Sequence, residues 1–203
     1  MTVQDPHSWV LRPGTPVAAF TGLARDEGWT LVNDVPRAHN ASAYQVWRGE
    51  EGTVELVLDH VHGLRVLASV PYGPLLREKL PLIGVDELFA GATADGPLPR
   101  MQALYALLHM QINAAMTAAP TFPLDPESPE HRLVEDDTRF LDAFTTGLAD
   151  PEPGVRRAAV EGLTASLYPG AFPILREWRD RLPELHGKID WALKRGRTRI
   201  TAG

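Results

Sequence analysis

Two histidines near residue 60 have the spacing best suited to binding a metal ion. They belong to Asp59-His60-Val61-His62, at the end of a run, residues 53–60, whose alternation of apolar and polar residues predicts a β-strand. Side chains two apart on a strand share a face, so His60 and His62 could offer two imidazoles to a zinc ion. Asp59 would face the other way, and no third histidine or H-E-x-x-H motif completes the set. We therefore expect a solvated histidine pair at the end of a hairpin.

The acidic run Glu135, Asp136 and Asp137 could in principle supply the general acid and base of an enzyme. Adjacent carboxylates at the start of a predicted helix more often complement its dipole, and we interpret them in that way. The sequence motifs of serine hydrolases, phosphate loops and dinucleotide-binding loops are absent, and a chain without cysteine has no thiol nucleophile. We predict no catalytic residue and expect no cofactor.

Arginine and tryptophan side chains recur on the helices predicted for the last third of the chain. The predicted partner-binding residues are Arg156, Arg157, Trp178, Arg179 and Trp191. The three arginines could contact an acidic partner. A structural role is the alternative, because Trp178 occupies a predicted core position and an arginine after a helix start often packs against the neighbouring turn.

A second interpretation places a small-molecule pocket between a predicted sheet and the predicted helix 98–118. Its lining would be apolar with a few polar groups, as in many ligand sites, and would consist of Tyr44, Trp47, Tyr105, His109 and Asn113. A histidine on an otherwise apolar helix is more often a hydrogen-bonded core residue. An enzyme or small-molecule-binding protein is therefore our alternative to a partner-binding protein.

The elements that must position these residues are predicted from hydrophobic periodicity. Residues 1–14 have no period and predict a loop, a short helix follows over 15–28, and the period then changes to two. Short connections between the runs predict an antiparallel meander of four strands: 29–35, 42–48, 53–60 and 64–70. Residues 71–99 are rich in proline and predict a connector with short helical fragments, and apolar residues recur at helical spacing over 98–118. The fold class is thus α+β, with helices flanking the sheet.

A proline-rich stretch, residues 120–130, predicts a boundary between an α+β domain, 1–119, and a helical segment, 131–203. Four helices are predicted in that segment, at about 131–149, 154–167, 170–182 and 186–196. Apolar positions recur at an offset of 30 residues: Phe144, Leu148, Val155, Ala159 and Leu163 recur as Ile174, Trp178, Leu185, Ile189 and Leu193. This period predicts two stacked helix pairs.

The sequence from Asp150 to Leu163, D-P-x-x-x-V-R-x-x-A-x-x-x-L, resembles the second helix of the short bacterial HEAT-like repeats first noted in phycobilisome-lyase relatives. The resemblance implies stacked helix pairs that expose a ridged binding surface, and it names no reaction. Some HEAT-like proteins act on DNA bases, and Asp190 beside Trp191 could imitate that design. The order of elements before residue 119 is similar to that of small secretion-chaperone-like domains, without a shared motif.

Composition narrows the classes of function. The net charge of −6 makes the chain a poor general binder of nucleic acid, although its last 28 residues hold 8 basic and 4 acidic groups. The absence of cysteine, of a signal peptide and of a long apolar run favours a cytoplasmic protein with no membrane span. An arginine-rich, lysine-poor composition suggests a GC-rich bacterial genome. We expect a non-catalytic protein- or peptide-binding module of the adaptor, immunity or chaperone type.

Overall fold

A computed structural model of the protein describes residues 8–37, 42–69, 71–118, 138–165 and 170–200; for 112–118 and 195–200 only the backbone is described. The chain divides into two compact units, Met1–Glu87 and Leu88–Gly203. The described residues contain six strands and eight α-helices, so the chain is of the α+β class. None of the helices in the described ranges has both the length and the apolar character needed to cross a membrane.

The first unit is built on an open antiparallel sheet. Its strands are β1 (Ser8–Leu11), β2 (Thr30–Val35), β3 (Ala43–Arg48), β4 (Thr53–Asp59), β5 (Leu64–Ala68) and β6 (Leu82–Ile83). Their order is β2-β3-β4-β5-β1-β6, so the meander from β2 to β5 is extended by a strand from the chain start and a two-residue strand beyond it. Two helices accompany the sheet in this unit, α1 (Val17–Asp26) and α2 (Gly73–Lys79).

The core of the sheet unit is rich in aromatic side chains. Phe20 of α1 is fully buried, and its ring meets the ring of Trp47 edge to face at 6.1 Å and that of Trp29 at 6.4 Å. The Trp29 ring in turn lies 4.6 Å from the ring of Tyr72. Gly28, with a φ of 71°, ends α1 in the left-handed conformation that glycine adopts without strain, and this directs Trp29 back into the core.

Tyr72 joins this core to the turn between β3 and β4. Its Oη accepts a hydrogen bond from the backbone N–H of Glu51 at 2.8 Å, and the residue is only 9% exposed. We expect Tyr72→Phe to lower the free energy of unfolding by about 1 kcal/mol, because the N–H loses its partner while the ring stays in place. Tyr44→Phe is the control, since Tyr44 is 37% exposed and accepts only a long bond, 3.4 Å, from Asn33. Urea unfolding of both variants measures the difference; equal effects would contradict a specific role for Tyr72.

The second unit is helical. Helix α3 (Val85–Gly91) spans the division between the units, and α4 (Pro97–Ala118), α5 (Arg139–Leu148), α6 (Pro153–Ala165), α7 (Ala171–Trp178) and α8 (His186–Ile200) follow. Two short 3-10 helices, Arg179–Arg181 and Pro183–Leu185, connect α7 to α8. Helix α6 is the centre of the packing, because it contacts α4, α5, α7 and α8.

Two glycines allow these helices to approach closely. A Cβ at Gly147 of α5 would lie 2.9 Å from Leu104 of α4 and 3.0 Å from Ala159 of α6, so three helices meet there. A Cβ at Gly162 of α6 would lie 2.1 Å from the ring of Phe144, which is fully buried. Close helix contacts of this kind require a residue without a side chain.

Several sequence predictions are confirmed, and two about the sheet differ from the structure. The four predicted strands form as β2 to β5 and lie side by side, but the sheet has six strands. The predicted loop over 1–14 is wrong at Ser8–Leu11, where β1 has all four residues buried and therefore lacks the alternation of a half-exposed strand. The two compact units divide after Glu87. The predicted boundary 120–130 lies outside the described residues, so the predicted division into domains stays a prediction.

Candidate functional site

An open cleft lies in the helical unit where the turn between α5 and α6 runs beside the α7 to α8 connection. Its volume is about 360 Å³. Leu148 ends α5 and Leu182 lies between the two 3-10 helices; both are buried and line the cleft. The remaining lining residues are Ala149, Asp150, Arg156, Trp178, Arg181 and Glu184. The cleft therefore combines apolar surface with several charged groups.

Arg156 holds the two sides of the cleft together. Its Nε and Nη2 donate to Glu184 Oε1 at 2.9 and 2.6 Å, and its Nη1 donates to the carbonyls of Asp150 and Pro151 at 3.0 and 2.9 Å. These hydrogen bonds hold the pKa of Glu184 below its ordinary value. Arg156 therefore packs against both turns, as the structural interpretation of its sequence position expected.

Asp150 forms the second ion pair beside the cleft. Its carboxylate accepts hydrogen bonds from Arg100 Nε at 2.7 Å, from Arg100 Nη2 at 3.1 Å and from the backbone N–H of Glu152 at 2.9 Å. Arg100 also donates to the carbonyls of Ala94 and Asp95, so the pair ties the start of α4 to the turn before α6. With side-chain exposures of 16% for Arg100 and 10% for Asp150, this pair is largely removed from water.

Trp178 supplies the aromatic surface of the cleft. It is the last residue of α7 and is partly exposed, and the Arg181 guanidinium carbon lies 5.2 Å from the centre of its ring system. The sequence period placed Ile174 and Trp178 in the core of this helix, but its two fully buried residues are Ala171 and Leu175. A half-exposed tryptophan beside an arginine is a side chain that can contact another molecule while remaining anchored.

Arg179 and Asp190 form a separate pair on the surface of the helical unit. Arg179 Nε and Nη2 donate to the two oxygens of Asp190 at 2.6 and 3.0 Å, and Nη1 donates to Asp180 at 3.0 Å. The hydrogen bonds from Arg179 hold the pKa of Asp190 below its ordinary value. A carboxylate stabilised in its ionised form is a poor general base, so this geometry does not favour the role in base chemistry considered for Asp190.

The five predicted partner-binding residues thus fall into two groups. Arg156 and Trp178 line the cleft, whereas Arg157, Arg179 and Trp191 do not line it. Arg157 is exposed and has no hydrogen bond or ion pair with any described residue, and Trp191 is 54% exposed on α8. Sequence reasoning missed Glu184 and Arg181. A signal for Glu184 was present in the sequence. It is an acidic residue in the turn of the second predicted helix pair, and Arg156 lies 28 residues earlier on the first pair.

The residues of the alternative pocket lie in different units. Tyr44 and Trp47 are on β3 of the sheet unit, where Trp47 is a core residue that is 7% exposed. Helix α4 of the helical unit carries Tyr105, His109 and Asn113. Tyr105 is buried and His109 is partly buried, whereas the side chain of Asn113 lies outside the described part. The pocket therefore stays a prediction.

The predicted geometry of the histidine pair is wrong. Strand β4 ends at Asp59, so His60 and His62 lie in a turn and do not share a strand face. Asp59 does not face away from them: its Oδ2 lies 2.6 Å from His62 Nδ1, and its Oδ1 accepts the backbone N–H groups of Val61 and His62. Among the described residues, no three histidine or acidic side chains are grouped to hold a metal ion.

The acidic run Glu135 to Asp137 lies outside the described residues, as do the side chains of the basic tail from Arg195 onwards. Comparison of the chain with protein-family models, with curated proteins and with solved structures gave no match.

Proposed function

We propose that this protein is a non-catalytic module that binds a protein or peptide through its C-terminal helices, which we interpret as HEAT-like helix pairs. The observation that carries the proposal is the open cleft, in which the half-exposed ring of Trp178 lies beside buried leucines and a rim of ion pairs. Tryptophan and arginine at the centre of an apolar patch are typical of the residues that dominate protein interfaces.

The charges of the cleft favour binding over catalysis. Asp150 and Glu184 accept hydrogen bonds from Arg100 and Arg156, which favour the ionised carboxylates. A general base needs a pKa near the working pH, and pairing with arginine shifts a carboxylate away from it. These groups therefore fix the shape of the cleft.

The cleft also indicates the kind of partner. The cleft is lined by two arginines and two carboxylates, so its rim has little net charge. The apolar surface between these charged residues would accept an aliphatic or aromatic side chain of the partner. Of the three arginines first considered for an acidic partner, Arg156 and Arg179 already bind carboxylates within the chain. Acidic groups of the partner would therefore contact Arg157.

We expect Trp178→Ala to weaken binding of the partner at least about tenfold, because a tryptophan anchor in an interface is commonly a hot spot. The partner would be identified by placing a photocrosslinking amino acid at position 178 of the full chain, and its affinity then measured by calorimetry. Trp191→Ala is the matched control, since Trp191 is also an exposed tryptophan of the helical unit but does not line the cleft.

The reverse outcome would contradict the proposal. If Trp191→Ala weakened the affinity and Trp178→Ala left it unchanged, the partner would bind the outer face of α8 and the cleft would have no role. The unfolding free energy of both variants must also be measured. If a variant is as stable as wild type, a weaker affinity means that it has lost a contact with the partner and not its fold.

A further inference from the structure

The cleft of the helical unit contains an arginine, Arg181, that pairs with no other charged residue of the lining. Arg156 already uses Nε, Nη1 and Nη2 in hydrogen bonds to Glu184 and to backbone carbonyls. The two carboxylates of the lining are also taken, because Glu184 binds Arg156 and Asp150 binds Arg100, which lies outside the lining. Each carboxylate of the cleft therefore has its own arginine, and Arg181 is left as a positive charge beside the cleft.

The ion pair that Arg181 does form is open to solvent. Its Nη2 lies 3.2 Å from Oε1 of Glu177, one turn earlier in the chain, and the two side chains are 58% and 61% exposed. Exposed pairs of this kind contribute little to stability and are screened by salt. A carboxylate of a partner could therefore replace Glu177, and the planar fork of the guanidinium would bind it with two parallel hydrogen bonds.

Trp178 determines where this guanidinium lies. The Cζ atom of Arg181 is 5.2 Å from the centre of the Trp178 ring. An arginine over an indole is held there by cation–π attraction and by the packing of its alkyl stem. The positive charge thus lies beside the aromatic wall, and Leu148 and Leu182 supply apolar surface in the same cleft. A carboxylate on Arg181 and an apolar side chain in the cleft would therefore come from neighbouring positions of one segment.

The backbone of the cleft favours an acidic side chain over the carboxylate of a chain end. Terminal carboxylates are commonly captured by backbone N–H groups that have no other partner. At the turn positions Ala149, Asp150 and Leu182 the N–H groups donate to carbonyls of the same chain. These positions offer no donor to a chain end, so Arg181 is the group that would recognise the charge.

We propose that the cleft recognises a partner segment in which an acidic residue lies next to a large apolar one, with the carboxylate on Arg181 and the apolar side chain against Trp178 and Leu182. This inference rests on the proposed binding function and specifies the sequence of the partner. Arg181 then decides the specificity, whereas Trp178 supplies contact area. Arg157 lies outside the lining and would meet acidic groups farther along the partner.

The test is a selection of random peptides of about seven residues, displayed with their C-termini joined to a carrier, on the full chain. We expect the enriched peptides to carry Asp or Glu next to Leu, Phe or Trp. Selection on Arg181→Glu should replace the acidic residue with Lys or Arg, because the reversed charge repels the first and attracts the second. Arg176→Glu should leave the acidic preference unchanged, since Arg176 is an exposed arginine of α7 that does not line the cleft.

A double-mutant cycle on the most enriched peptide, measured by fluorescence polarisation, isolates the contact itself. Changing the acidic residue of the peptide to the matching amide should weaken its binding to wild type at least about tenfold, and its binding to Arg181→Gln less than about twofold. Arg181 is more than half exposed, so the substitution should not unfold the chain.

The outcomes separate this inference from the binding function on which it rests. Equal losses for wild type and Arg181→Gln, or an unchanged acidic preference on Arg181→Glu, would overturn the role of Arg181. If the selected peptides then still lost affinity for Trp178→Ala, the binding function of the cleft would stand without it. If no peptide were enriched, or if affinity did not depend on Trp178, both proposals would fail.

Discussion

Gly162→Ala is expected to lower the free energy of unfolding of the helical unit by about 3 kcal/mol. The new Cβ would lie 2.1 to 2.5 Å from three carbons of the Phe144 ring, and that ring is fully buried. A close-packed interior cannot move a ring aside without opening voids elsewhere, so the strain outweighs the better helix propensity of alanine. Urea unfolding followed by circular dichroism would measure the loss.

Gly187→Ala is the matched control for this prediction. Gly187 lies in α8 of the same unit, and a Cβ there would meet no atom within 4 Å. The same exchange should therefore be neutral or stabilise the protein by up to about 1 kcal/mol. In a Phe144→Leu background the Gly162→Ala change should cost less, because the smaller side chain relieves the clash. An equal cost in both backgrounds would show that the ring is not the cause.

Asp150→Ala is expected to lower the free energy of unfolding, because it leaves the partly buried Arg100 without its carboxylate. The turn before α6 would also lose the hydrogen bond from Glu152 N–H. Asp180→Ala provides the comparison, since Asp180 is 84% exposed and its pair with Arg179 is open to solvent. That variant should change the stability little.

The same pair makes the stability depend on pH. Burial raises the pKa of Asp150. The opposite effect is larger, because the carboxylate accepts hydrogen bonds from Arg100 and the Glu152 N–H and lies near the charges of Arg100 and Arg156. The pKa of Asp150 is therefore below the ordinary 3.8. A carboxylate with a lowered pKa in the folded state stabilises the protein above its unfolded pKa. This contribution is lost as the pH falls below about 4.

Asp150→Asn tests the sign of this effect. The amide keeps the size of the side chain but cannot titrate, so the unfolding free energy of the variant should fall less steeply than that of wild type below about pH 4. Parallel curves for the two proteins in that range would contradict the role assigned to the ionised carboxylate.

Part of the fold follows from local sequence. Strands β2 to β5 were predicted from alternation and short connections, because each has a neighbour along the chain and needs no distant information. Strand β1 could not be predicted in this way. It pairs with β5 and β6, which are more than 50 residues away, and its four buried residues carry no periodic signal.

The candidate sites show the same division. Periodicity indicated that Arg156 and Trp178 lie on helices, but it could not indicate that Glu184, 28 residues after Arg156, would bind this arginine and close a cleft. Likewise the sequence suggested a histidine pair on a strand face, whereas the turn after Asp59 brings that carboxylate onto His62.

The sequence by itself determined the α+β class, the meander, the long helix α4 and the succession of helices after it, because each depends on periodicity within one segment. Only the tertiary structure decided which charges are paired, which tryptophan is most exposed and where the cleft of the helical unit lies. The physical reason is that ion pairing and burial depend on distances between residues far apart in the chain. Those distances are fixed by packing, such as the contact of Gly162 with Phe144, and no local pattern encodes them.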